Sequence, residues 1–210
     1  MGGKFVTTDV IGSAQLGDLL QDSVNYARSS VRAVMCEELS YPTPCREWDV
    51  RALLNHLNDS LLTLSTARRT GRVGLGPVPP AGGKDDAPLA TFDKYSALLL
   101  DDGLRRGSRR GVLVGDLPLA EHLLVAAGAI EISVHGWDVG HASGRPDSLP
   151  EGLAIELLAI APLVVDISWR SPRFGPVVAV PAASGPATRL LAYLGRQEAA
   201  TPAQPLDASL

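Results

Sequence analysis

The chain is poor in cysteine, with two in 210 residues, and neither belongs to a Cys-x-x-Cys pair. That excludes a zinc ribbon and a thioredoxin-type redox site at Cys36 and Cys45, and a chain of this length can bury a core without disulfide staples. Long hydrophobic runs are missing too. No segment reaches the roughly 18 apolar residues of a membrane span, and residues 1–9 hold no apolar run resembling a signal peptide. The expected location is therefore the reducing cytoplasm, with no membrane partner. Strong charge of either sign is also absent, the net charge being −4. The one basic cluster, Arg105-Arg106-Gly107-Ser108-Arg109-Arg110, follows Asp101-Asp102 without interleaved aromatics. It reads as a solvated loop and not as a nucleic-acid patch.

What remains is the composition of an ordinary globular protein, 45% hydrophobic and 20% charged. One domain is expected over residues 13–196, with an N-terminal extension over 1–12 and a disordered tail over 197–210. Apolar residues at Leu16, Leu19, Leu20, Val24, Ala27, Val31 and Val34 follow the three-and-four spacing of an amphipathic helix between Ser13 and Leu39. Pro42 and Pro44 then force extended backbone. A second helix is expected from Trp48 or Asp49 to Arg69, with Leu53, Leu54, Leu57, Leu61 and Leu64 in one stripe and His56 at its margin. The Gly/Pro-rich stretch from Thr70 to Pro88 reads equally as a mobile surface loop or as a lid. A third helix is expected over Leu89 to Asp102 and a short strand at Gly111-Val112-Leu113-Val114 before a turn at Gly115. A fourth helix from Leu117 to Ala142, a fifth from Pro150 to Ser168, a strand over Phe174 to Val180 and a small helix from Ala187 to Gly195 complete the pattern. The expected class is all-α, with short strand and helix additions near the C-terminus.

Glu131 and His135 stand four residues apart in the fourth helix. Four residues is about one helical turn, so both side chains leave the same face and can grip one metal ion. Helical geometry puts Leu124, Ala127, Glu131, His135, Asp138 and Ala142 in one sector, whereas His122 and His141 fall off it and read as surface or cap residues. A carboxylate facing the interior of a helical core needs a partner. A metal is the partner that also accounts for His135, and His56 on the neighbouring helix can supply a third ligand. Three protein ligands leave a coordination position open, as in catalytic sites. The spacing also fits a hydrogen-bonded Glu–His pair or a salt bridge to an arginine, and His56 taken alone fits a satisfied interior histidine.

The neighbours of these residues carry two readings each. Trp48 and Trp137 read as packing anchors. Asp138 reads as a cap or as the acceptor that fixes the tautomer of a ligating histidine. Cys45 precedes the second helix, where a helix N-terminus can activate a thiol, although most such cysteines are simply buried. No residue is singled out as the acid, base or nucleophile, and none as a cofactor-binding residue.

The stretch Thr43-Pro44-Cys45-Arg46-Glu47-Trp48-Asp49-Val50-Arg51-Ala52-Leu53-Leu54-Asn55-His56-Leu57, together with Val134-His135-Gly136-Trp137-Asp138-Val139, resembles the signature of bacterial DinB-like metal-binding proteins. The similar branch includes the N-terminal domain of mycothiol-dependent maleylpyruvate isomerase. Arg173 to Pro181 and Arg189 to Arg196 also resemble that branch, so the similarity covers about residues 13 to 196. The larger C-terminal domain of the isomerase is not recognisable, and Gly2 to Ser13 lies outside the pattern. The resemblance implies an antiparallel four-helix bundle with a divalent metal, usually zinc, at the matching positions His56, Glu131 and His135. It also implies mycothiol as a thiol cofactor and a small-molecule substrate. Three functions follow from it. The first is a metal-dependent isomerase or thiol S-transferase acting on a small electrophile. The second is a thiol-independent Lewis-acid enzyme, an isomerase, cyclase or hydrolase of specialised biosynthesis. The third is a metal-binding protein without turnover. Nothing in the sequence fixes an oligomeric state, and a homodimer stays open.

Overall fold

The computed structural model describes residues 13–45, 48–74, 87–105, 111–145, 148–165, 170 and 174–197. They are mostly helical with one small sheet. Six α-helices run as α1 (Ser13–Arg32), α2 (Val50–Thr70), α3 (Pro88–Arg105), α4 (Glu121–Ala142), α5 (Glu151–Val164) and α6 (Pro186–Tyr193). The strands β1 (Arg72–Val73), β2 (Val112–Val114) and β3 (Leu117–Leu119) complete the order. The 1–12 extension, most of the 70–88 loop, the basic cluster beyond Arg105 and the tail beyond Gln197 lie outside the described residues. No described helix is long and apolar enough to cross a membrane.

Helix α1 buries the expected stripe through Val31 but stops at Arg32, short of Leu39. A 3₁₀ turn, Cys36–Ser40, takes over because Glu38 bends back onto the chain. Its carboxylate accepts from the Met35 N–H at 2.8 Å and from the guanidinium of Arg145, whose Nη1 lies 3.0 Å away. Helix α2 starts where Asp49 caps it by accepting from the Ala52 N–H at 2.7 Å. It ends at Gly71, whose φ of 73° supplies the left-handed C-terminal position.

Three expectations about strands need correction. Leu117 to Leu119, expected as the start of the fourth helix, is instead strand β3, antiparallel to β2 across Gly115-Asp116. Pro118 lacks an N–H and disfavours helical backbone before it, and Gly115 at φ 60° makes the tight turn. β1, inside the stretch read as a loop, pairs in parallel with β2 in the register Arg72 to Leu113. The strand expected over Phe174 to Val180 does not form, so no strand addition lies at the C-terminal end of the described residues. Pro176 and Pro181 remove two donors, and this extended segment lies against α6, with Val178 N–H donating to Ala192 O at 2.9 Å.

Helix α4 is the central element. It packs against α1, α2 and α5, while α3 packs on α2 and α6 on α5. From Gly128 to Ala142 every residue is buried except Glu131, which is half-buried. A helix apolar all round is what such a position demands. Its glycines permit close approach. A Cβ on Gly136 would lie 2.8 Å from the Cα of Ala27 in α1, and one on Gly128 would lie 2.6 Å from a methyl of Leu64 in α2.

The two contacts differ in what can yield. Gly136→Ala forces the backbones of α1 and α4 apart and should cost about 1–3 kcal/mol in chemical unfolding. Gly128→Ala meets only a movable Leu64 side chain and gains helix propensity of about 1 kcal/mol, so it should stay near neutral. Equal stability of the two variants would contradict this packing.

Candidate metal centre

His56 projects from α2 at the edge of the leucine stripe, and Glu131 and His135 project from one face of α4. The three meet. Glu131 Oε1 closely contacts His56 Nε2 and lies 3.3 Å from His135 Nε2. One ligand atom from each lies within 4.8 Å of the other two. His135 is buried, His56 and Glu131 are half-buried, and Trp48 covers the pair of imidazoles at ring-centroid distances of 4.7 and 6.2 Å.

The tautomer of His135 is fixed from behind. Its Nδ1 lies 2.9 Å from Asp138 Oδ2, and an ionised carboxylate only accepts, so Nδ1 carries a proton. Nε2 of His135 then faces the Glu131 oxygen that His56 Nε2 also contacts. A proton on either imidazole satisfies this contact, and so does a metal ion. The ionisation of the group follows from these contacts. Burial opposes charge at both residues, yet the hydrogen bonds and charge of His135 and His56 hold the Glu131 carboxyl well below the usual range. At His135 burial is outweighed by hydrogen bonds to Asp138, Cys45 and Glu131, which push the imidazole well above its usual value.

Asp138 is fully buried and collects further donors. Arg196 Nη2 lies 2.8 Å from Oδ2, Arg196 Nε 3.3 Å from Oδ1, and the Cys45 thiol 3.4 Å from Oδ2. Burial raises its pKa, but the Arg196 charge and the His135 hydrogen bond prevail and set it at about 2. Cys45, His135 and Asp138 form a second cluster with metal-ligand chemistry. Its place is already taken by a cation, since Arg196 Nη2 contacts both Asp138 Oδ2 and Cys45 Sγ, the latter at 3.4 Å. Among the described residues the donor set of His56, Glu131 and His135 has no such guanidinium and fits a divalent metal better.

The structure brings together His56, Glu131, His135 and Asp138, four residues singled out in the sequence, and sets Cys45 beside the last two. It gave no role to Arg196, which lies 58 residues beyond its partner Asp138. Only a charged residue closing a small apolar helix hinted at it. His122 is exposed, as expected. His141 is not a surface residue: it is buried and stacks on Trp137 at 4.7 Å. The triad and Arg196 open on a cavity of about 1500 Å³ between α2, α4, the end of α5 and the 174–178 segment.

The fold and site thus define a mostly helical protein with a candidate two-histidine, one-carboxylate metal centre. The family model described as the mycothiol maleylpyruvate isomerase N-terminal domain matches residues 20–140, and the chain belongs to that family. The matched span includes His56, Glu131, His135 and Asp138 and stops before Arg196. Two uncharacterised proteins from two strains of Mycobacterium tuberculosis are each 28% identical over 181 residues, covering 84% of this chain and 93% of theirs. No solved structure matches.

The Asp138–Arg196 pair carries a stability prediction for the metal-free chain. Asp138→Asn leaves a buried guanidinium without its counter-charge and should cost about 3–5 kcal/mol near neutral pH. A carboxylate whose pKa falls from 3.8 to about 2 on folding contributes stability above 3.8, lost as the pH drops through the folded value. The gap between the parent and Asp138→Asn should therefore narrow between about pH 4 and pH 2. A gap constant over that range would contradict the assignment.

Proposed function

We propose that this chain is a divalent-metal-dependent enzyme of the thiol-using type, an isomerase or S-transferase acting on a small electrophile. In this reading His56, Glu131 and His135 hold the metal, zinc being the expected ion. α1 to α4 form the antiparallel four-helix bundle of DinB-like proteins, and residues 13–196 act as one domain in the reducing cytoplasm. The supporting observation is the pinned Nδ1 proton of His135, which aims Nε2 at the same point as His56 Nε2 and Glu131 Oε1.

A bound zinc would supply positive charge that stabilises a thiolate near neutral pH, and in the family's terms that thiol is mycothiol. The residues of this chain do the rest. Asp138 keeps His135 in the ligating tautomer, and Arg196 neutralises Asp138 so that the carboxylate can stay ionised while fully buried. Trp48 shields one side of the imidazoles from water. The cavity, at about 1500 Å³, exceeds the roughly 300–1000 Å³ of a single small-ligand pocket. It has room for a thiol conjugate with its electrophile.

Metal analysis of the purified chain should find close to one divalent ion per chain, lost in His56→Ala and Glu131→Ala. Asp138→Asn should bind the metal about 10–100-fold more weakly. A folded chain that takes up no divalent metal would overturn the reading. Calorimetry with mycothiol then checks the thiol: binding should need the metal, and a metal-loaded chain that ignores mycothiol would contradict thiol use.

A further inference from the structure

One arm of the cavity runs from the triad along α2. His56, Asp59, Ser60 and Thr63 line it, whereas Leu57, Asn58, Leu61 and Leu62 are not among the lining residues. Those four stand at the three-and-four spacing of a single helical face, so α2 meets the cavity through their side chains. Glu131 touches His56 and Gly128 lies against Leu64, so advancing along α2 means moving back along α4. In that direction α4 lines the cavity with Ile130, Ala127 and Leu124. The arm therefore has one polar wall and one apolar wall.

Asp59 puts an uncompensated negative charge on the polar wall. It is half-buried, and among the described residues its carboxylate makes no hydrogen bond or ion pair; the hydroxyls of Ser60 and Thr63 are equally free. Arg196 is the one arginine or lysine lining the cavity, and it is spent on Asp138. A carboxylate only accepts hydrogen bonds, and cavity walls that thin the water around it strengthen its attraction for a cation. With two hydroxyl oxygens on the same face it offers as many acceptors as a primary ammonium has N–H donors. An anionic group in this arm is repelled by Asp59, and a neutral donor forgoes the charge.

We infer that Asp59, with Ser60 and Thr63, forms a cation subsite that takes the ammonium group of a ligand bound in this cavity. For the site proposed above, on which this part rests, it names the substrate class: a small electrophile carrying a primary ammonium. Three to seven residues of helix separate these side chains from His56, which places the ammonium about 5–10 Å along α2 from the triad. The apolar body between the two ends lies against Ile130, Ala127 and Leu124.

The test titrates the zinc-loaded chain near pH 7 with benzylammonium and with benzyl alcohol, which share a ring and differ in charge, following the methyl NMR signals of Leu124 and Ile130. Both signals should move, and the cation should bind about 3- to 30-fold more tightly than the alcohol, as expected of a charged hydrogen bond at a half-buried carboxylate. Asp59→Asn keeps the size of the side chain and should bind the two probes equally. Asp18→Asn removes the same charge from an exposed position on α1 and should keep the parent's preference. That variant separates a local subsite from the general pull of a chain with net charge −4. The chelator-stripped chain retains Asp59 and should also prefer the cation. Charge discrimination in a chain that takes up no zinc therefore contradicts the metal reading and leaves the subsite standing. Equal binding of the two probes by the parent, a preference that survives in Asp59→Asn, or one lost to the same extent in Asp18→Asn overturns the inference.

Discussion

Glu131 sets a carboxylate oxygen against two imidazole nitrogens at the edge of the helical core, a contact that a proton on an imidazole or a metal ion satisfies. The surrounding architecture serves to bring those three atoms together. Two of them come from one face of α4, where the helical repeat alone aligns them. The third comes from α2, whose Leu64 side chain packs against Gly128 of α4. On the opposite side Gly136 lets α4 sink onto Ala27 of α1, which buries the backbone that carries His135. A larger residue at Gly136 would change how α4 sits against α1.

Behind the triad lies a second layer that fixes chemistry by charge. Asp138 orients His135, and a fully buried carboxylate without a counter-charge would protonate and release that hold. Arg196 prevents this. To deliver it the chain runs through α5, lies extended from Gly175 past Val178, and turns back through α6. Arg170 anchors this path by donating to the Gly175 carbonyl at 2.8 and 3.0 Å, and Gly195 at φ 81° passes tightly against Gly175. The C-terminal described residues are therefore part of the site and not an appendage to it. The pairing also leaves Cys45 with a guanidinium and a carboxylate already on it, which favours the other cluster as the proposed metal centre.

Much of this was legible in the sequence because periodicity reports burial. The leucines of α2 and the apolar run of α4 announce buried helices, and the spacing of Glu131, His135 and Asp138 announces one functional face. What escaped the sequence depends on contacts between distant segments. The early end of α1 follows from Glu38 meeting Arg145, 107 residues away. β1 exists only because β2 lies beside it, and two residues of strand leave no periodic trace. The Phe174 to Val180 stretch has the β-branched content of a strand but no neighbour to pair with among the described residues. Arg196 stands at the last position of the expected domain, and only the fold brings it to Asp138 as a counter-ion. His141 was misplaced for a related reason: on a helix buried all round, leaving the ligand face does not mean reaching solvent.

Among the described residues two clusters of ligand-type side chains share His135, and the metal is proposed for only one of them. X-ray absorption on the zinc-loaded chain without added thiol distinguishes them directly. Coordination by His56, Glu131 and His135 predicts two imidazoles with oxygen and no sulfur around the zinc. A protein sulfur at bonding distance, which only a cysteine such as Cys45 could supply among the candidates, or the scattering of a single imidazole, would contradict it.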